Sequence, residues 1–199
     1  RYGGTANNAA DCNDTLYWVY PGAYEYIANG NDDDCDGREL CWQDNDNDDW
    51  GVGNAVSSPD PDCSGVFEAW GTGDCNDGNG SVNPGAFEGI ADSVDQNCDG
   101  RETCWYDGDG DGRGGGSTTG SSDLDCVDLG EAGSSSDCND ANGSIYPGAP
   151  EGVGDNVDQN CDGGEVCFAD GDNDGARTGG TTNSGDADCN DAFEAVGGD

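Results

Sequence analysis

Apolar residues hold neither a helical nor a strand period for long anywhere in this chain. Pro-Gly, Asp-Gly and Asn-Gly pairs punctuate it throughout and mark turns. The pattern predicts only short pieces of regular structure. Residues 102–106 and their counterparts read as a strand or extended bridge, and residues 64–70 and 192–196 as single helical turns. The Gly/Ser/Thr stretches at 114–122 and 178–184 read as flexible, solvated linkers. The expected fold class is therefore mostly irregular, loop-rich with little regular secondary structure.

The apolar residues recur in step with something longer. Trp42, Trp105 and Phe168 each follow a cysteine, and Phe67-Glu68-Ala69-Trp70 returns as Phe193-Glu194-Ala195-Val196. The run Asp11-Cys12-Asn13-Asp14 returns at Asp74-Cys75-Asn76-Asp77 and Asp137-Cys138-Asn139-Asp140, 63 residues apart each time. A fixed period of this size is the mark of a repeat protein. The chain divides into a segment 1–10 and repeats 11–73, 74–136 and 137–199, expected to stack linearly. The aromatics are expected to form small cores and to pack repeat on repeat. Tyr17, Trp18, Tyr20, Tyr24 and Tyr26 crowd repeat 1 alone, which points to a carbohydrate-stacking or inter-chain surface as the other use.

Composition changes the picture. The 44 acidic residues against five arginines, with no lysine or histidine, give a formal charge of -39. Nucleic acid and acidic membranes are poor partners for such a surface, and cations are natural ones. With 37 glycines and this charge, a hydrophobic core alone is not expected to offset the ordering entropy, so staples are needed. The cysteines supply one kind: Cys12, Cys35, Cys41, Cys63; Cys75, Cys98, Cys104, Cys126; and Cys138, Cys161, Cys167, Cys189. An even number per repeat without Cys-x-x-Cys or His argues for disulfides rather than zinc, and for an oxidising, extracellular setting. Four cysteines allow three pairings. Cys12–Cys35 with Cys41–Cys63, repeated in register, is favoured, each bridge contributing about 3 kcal/mol.

The carboxylates supply the other staple. Asp44, Asp46 and Asp48, Asp107, Asp109 and Asp111, and Asp170, Asp172 and Asp174 place oxygens at positions 1, 3 and 5 of a calcium loop. Position 6 is Gly112 and Gly175 but Asp49 in repeat 1, and position 7 would offer the carbonyls of Trp50, Arg113 and Ala176. Position 12 is Ala55, Thr118 and Thr181 rather than Glu, so these are not EF-hands. Asp60 or Asp62, with their counterparts Asp123, Asp125, Asp186 and Asp188, are candidates for the missing carboxylate. A second loop precedes the first: Asp32, Asp34, Asp36 with Glu39; Asp95, Asn97, Asp99 with Glu102; and Asp158, Asn160, Asp162 with Glu165. A third cluster joins Asp11, Asn13, Asp14 and Glu25; Asp74, Asn76, Asp77 and Glu88; and Asp137, Asn139, Asp140 and Glu151. It either closes one of the loops or holds its own ion. Oxygen ligands select calcium over softer metals, at about two or three ions per repeat.

The run from Asp74 through Asn83-Pro84-Gly85-Ala86 and Glu88 to Asp95-Gln96-Asn97-Cys98-Asp99-Gly100 resembles the MopE-type metal-binding repeat. In style it is similar to thrombospondin type 3 calcium repeats. It recurs at 137–163 and, more loosely, at 11–37. The resemblance implies secreted, multi-copy modules that bind calcium in surface or matrix proteins. A copper role known in that family lacks its histidines here.

The expected function is that of an extracellular calcium-binding repeat protein with a structural role in a fibre, matrix or cell-surface stalk. A calcium-dependent adhesion or glycan-recognition module is the alternative. Catalysis is not expected: the chain has no His or Lys, no nucleophile elbow and no phosphate loop. No apolar run is long enough to span a membrane. Asn13, Asn79 and Asn142 fit the N-glycosylation acceptor pattern. The chain lacks an initiator Met and reads as a mature or trimmed product. Head-to-tail self-association through residues 1–10 and 193–198, or continuation into neighbouring repeats of a longer chain, is expected.

Overall fold

The structure, a computed structural model, describes residues 11–177 and 179–196. It forms two compact units. The first holds the described residues up to Glu88 together with Asp95–Gly100, and the second holds Gly89–Val94 and the described residues from Arg101 onward.

In the first unit, β1 (Glu39–Gln43), β2 (Trp50–Ser58), β3 (Glu68–Ala69) and β4 (Gly71–Thr72) form one sheet in the order β3-β1-β2-β4. In the second, β5 (Thr103–Tyr106), β6 (Thr118–Gly120) and β7 (Glu131–Ala132) form a sheet in the order β6-β5-β7. There, β8 (Val166–Ala169), β9 (Thr181–Asn183) and β10 (Glu194–Ala195) repeat that arrangement as β10-β8-β9. The plan is constant. The strand carrying the third cysteine of a repeat is central, an antiparallel neighbour follows it, and a two-residue strand pairs with its other edge.

The expectation of a mostly irregular chain is thus corrected: three small, defined sheets organise it. The described residues contain no helix, so the helical turns expected at 64–70 and 192–196 are also corrected, to β3 and β10. The reason lies one residue earlier. Phe67 and Phe193 sit at φ +68° and +72°, which a right-handed helix cannot accommodate. Asn47 Oδ1 accepts the Phe67 amide at 2.7 Å, and Asn173 Oδ1 the Phe193 amide at 3.2 Å, so a loop side chain pins each turn. The linkers expected at 114–122 and 178–184 contain β6 and β9. Their threonines suit a strand, which the Gly/Ser content around them obscured.

The core is sulfur and small side chains. Cys41, Cys104 and Cys167 are fully enclosed, and Ala69, Ala132 and Ala195 are buried beside them. The six disulfides are Cys12–Cys35, Cys41–Cys63, Cys75–Cys98, Cys104–Cys126, Cys138–Cys161 and Cys167–Cys189, the favoured pairing, and no cysteine is free. The aromatics contribute less than expected. Trp42, Trp105 and Phe168 are half-buried, but Phe67, Trp70 and Phe193 are largely exposed. Gly51 allows β1 and β2 to approach: a Cβ there would stand 2.4 Å from the Gln43 carbonyl oxygen. Gly114 plays the same part against Trp105 and Tyr106 in the second unit.

Candidate metal centres

The hairpin loop that leaves each central strand is the Asp-x-Asp-x-Asp loop. Its first aspartate wraps it. Asp44 Oδ1 accepts the Asn47 amide at 2.6 Å and Oδ2 the Asp49 amide at 3.1 Å. Asp107 receives Gly110 and Gly112, and Asp170 receives Asn173 and Gly175, in the same way. Two residues of each loop must be left-handed. They are Asn47 and Asp49, Gly110 and Gly112, and Asn173 and Gly175, so Asp49 takes at φ +74° the conformation its glycine counterparts take. The result is that Asp44, Asp46 and Asp48 bring carboxylate oxygens within 4.8 Å of one another, as do Asp107, Asp109 and Asp111. Asp170 titrates below the usual carboxylate range. Burial alone would raise it, but the amides of Gly175, Asn173, Asp172 and Asp174 outweigh that.

The second loop is wound similarly. Asp32 Oδ1 and Oδ2 accept the amides of Asp36 and Gly37 at 2.9 and 2.8 Å. Asp95 receives Asp99 and Gly100, and Asp158 receives Asp162 and Gly163. The glutamate of Pro-Gly-Ala-x-Glu closes this loop. Glu25 accepts the amides of Asp33 and Asp34, Glu88 those of Gln96 and Asn97, and Glu151 that of Gln159. Glu25, Asp32 and Asp34 converge within 4.8 Å, and so do Glu151, Asp158 and Asp162.

Behind each second loop stands a buried glutamate at the head of the central strand. Glu39 is 0% exposed, and neither of its carboxylate oxygens makes a well-formed hydrogen bond. Glu102 and Glu165 each keep one such oxygen. Burial pushes Glu39 up to about 7, with the charges of Glu25 and Asp33 adding to the effect and the Asn29 and Ala28 amides opposing it. Glu25 is raised for the same first reason, and so is Glu165, beside Asp155 and Glu151. Glu25, Asp34, Asp36 and Glu39 line a cavity of about 130 Å³ together with Arg38, Leu40 and Ser57. A buried, unpaired carboxylate is costly unless a cation meets it. These residues therefore fit a hard cation.

Of the carboxylates that the sequence offered for the open end of the loop, Asp60 and Asp62 accept the hydroxyls of Ser58 and Ser64. Asp123 and Asp186 likewise bond Ser121 and Ser184. Sequence reasoning missed Asp33, which is fully buried and accepts Tyr26 N and Asn29 Nδ2 on one oxygen while the other has no partner. It breaks the alternation, and its counterparts are Gln96 and Gln159, so no sequence signal marked it. Asp137 lies close to Cys138 and Cys161, but those sulfurs are joined in a disulfide and offer no thiolate. The expected contact of residues 1–10 with 193–198 falls partly outside the described residues.

The family described as "Putative metal-binding motif" (Cu-binding_MopE) matches residues 11–39, 74–102 and 137–165. The chain carries this motif three times. Each copy of the MopE-type motif ends on the buried Glu39, Glu102 or Glu165, so the match encloses the second loop, its closing glutamate and the enclosed carboxylate. No curated protein and no solved structure matches the chain. The copper in the family's name does not fit these donors. The sequence has no His or Met, and every cysteine is in a disulfide, which leaves oxygen ligands alone.

Proposed function

We propose that this chain is a calcium-binding repeat protein that works outside the cell as a structural element, the building block of a fibre, matrix or cell-surface stalk. The observation that carries the reading is the fully buried Glu39, unpaired on both oxygens, at the wall of a cavity that it shares with the carboxylates of Glu25, Asp34 and Asp36 inside a disulfide frame. Calcium takes six to eight oxygen ligands in flexible geometry, whereas magnesium demands an octahedron and keeps its waters. With two carboxylate loops in each repeat, about two ions per repeat is the natural loading. Six disulfides are compatible with an oxidising, extracellular compartment, and no helix among the described residues is long and apolar enough to cross a membrane. The role is binding rather than catalysis. Self-association head to tail, neighbouring repeats in a longer chain and attached glycans belong to the same proposal.

Equilibrium dialysis of the full chain against equal calcium, magnesium and copper(II), followed by elemental analysis, tests the metal. Calcium retained in several-fold molar excess supports the reading. Copper retained in preference to calcium refutes it.

One observation favours a second reading, calcium-dependent adhesion to glycans. Tyr17 is 90% and Tyr24 73% exposed, and Tyr17–Trp18 and Tyr24–Tyr26 form edge-to-face pairs on the surface of repeat 1. Exposed aromatic faces suit sugar stacking. A glycan-array signal that disappears in Trp18→Ala would establish it, and a blank array would leave the structural role alone.

A further inference from the structure

The cysteine of the Asp-Cys-Asn-Asp run ties it to the second loop of its own repeat, as Cys75 to Cys98, while the aspartates of that run meet the Asp-x-Asp-x-Asp loop of the repeat before. Asp77 Oδ1 accepts the Asn45 amide at 2.8 Å, and its other oxygen receives Asn45 Nδ2. Asp74 is seated beside the same loop by its own amide, which donates to the Gly51 carbonyl at 3.3 Å. Asn83 Nδ2 donates to Asp48 Oδ2 at 2.8 Å. Gly80 packs on the same loop: a Cβ there would stand 3.2 Å from Asp48 Cβ and 3.7 Å from Asp46 Oδ1.

We propose that Asp44, Asp46 and Asp48 together with Asp74 of the following repeat form one composite divalent-cation site, and that Asp109 with Asp137 forms its twin. The loops at 44–48 and 107–111 lie outside the three matched motif segments, whereas Asp74 and Asp137 open the second and third of them, so this site joins a motif copy to a loop that no copy contains. It rests on the calcium reading above.

Two observations go beyond the presence of an acidic cluster. Asp74 is 92% buried; its Oδ1 accepts the Asn76 amide, and its Oδ2 is shut off from solvent with no partner. The charge of Asp74 raises Asp46, and Asp48, Asp77 and Asp44 raise Asp74, in keeping with its seat on Gly51 beside this loop. The second unit repeats the bracing contacts. Asp140 Oδ1 accepts the Gly108 amide at 2.8 Å, Asp137 N donates to the Gly114 carbonyl at 3.1 Å, and Gly143 packs on Asp109 and Asp111. Oxygens of Asp109, Asp111 and Asp137 are again enclosed and unpartnered. Carboxylates forced together in this way repel unless a cation lies between them. The ion would thus tie consecutive repeats, with Asp77 and Asp140 as positioning residues that hold the loop by its backbone and Asp74 and Asp137 as ligands.

Native mass spectrometry of the full, disulfide-intact chain with calcium tests this by counting ions in D46N, D74N and D46N/D74N. Asparagine keeps the oxygen that accepts the Asn76 amide. Each single variant should bind one ion fewer than wild type, and the double variant also only one fewer, because both residues serve one ion. D109N, D137N and their double variant repeat the test in the second unit, independently of how the first tolerates change. An unchanged count in D74N and D137N, or a loss of two ions in the double variants, overturns the composite site while leaving calcium binding intact. A wild-type chain that retains no calcium overturns the reading beneath it.

Discussion

Asp77 accepts the backbone amide of Asn45 across 32 residues and a repeat boundary. The three-dimensional module is therefore out of step with the sequence repeat. A loop from the middle of one repeat folds with the acidic run opening the next, and each pairing lies inside one compact unit.

Removing that brace should loosen the loop. Asp77→Ala leaves the Asn45 amide without its acceptor and should cost about 1–3 kcal/mol, read as a lower denaturation midpoint in urea. Asp77→Asn, which keeps one acceptor oxygen, should lose less. Equal stability of Asp77→Ala and wild type would show the bond is incidental.

The pH response follows from Glu39. Its folded-state pKa, about 7, lies above the ordinary glutamate value, so the folded state favours the neutral form. In chelator, stability should be full below the ordinary glutamate range and fall as pH rises towards 7. Calcium needs the ionised form, so its affinity should rise over that same window. Glu39→Gln should flatten the stability trend in chelator, and melting curves at pH 5 and pH 8 would show it.

Gly51 tests the sheet. An added Cβ would meet the Gln43 backbone and Trp42 Cβ at 2.4 and 2.8 Å, neither of which can move aside cheaply. Gly51→Ala should destabilise the first unit by about 1–3 kcal/mol, while Gly53→Ala, where nothing lies within reach, should be nearly neutral. Chemical denaturation of the two variants side by side gives the comparison.

The bridge Cys104–Cys126 closes a loop of 22 residues and anchors an enclosed sulfur. Replacing both cysteines by alanine should cost about 3 kcal/mol from the lost chain constraint. Proteolysis should then cut first within the second unit. Cleavage confined to the first unit would contradict the assignment of that bridge to the second core.

Much of this was legible in the sequence because it is written in spacing. Cysteines in strict register narrow the pairing to one of three, the favoured one being that of the structure, and Asp-x-Asp-x-Asp with a turn residue marks a loop whatever surrounds it. The central strands were legible: the segment at 102–106 and its counterparts, read as extended, are β5, β1 and β8. The edge strands were not, because pieces as short as β3 cannot show a period of two, and Phe67 turns on a bond from distant Asn47 that no local pattern reports. The partner of Asp74 was hidden for the same reason. Spacing shows which residues recur, but only the fold shows that the carboxylate reaches backwards into the preceding repeat.

The central claim is that bound calcium is part of the folded state. Each site held at about a hundred times its dissociation constant contributes roughly 2.7 kcal/mol, so several sites outweigh the stability of an ordinary domain. The direct measurement is the thermal unfolding of the full, disulfide-intact chain in millimolar calcium and in excess chelator. The account predicts a cooperative transition with calcium and its loss or a large downward shift without it. Superimposable melting curves in the two conditions would contradict it.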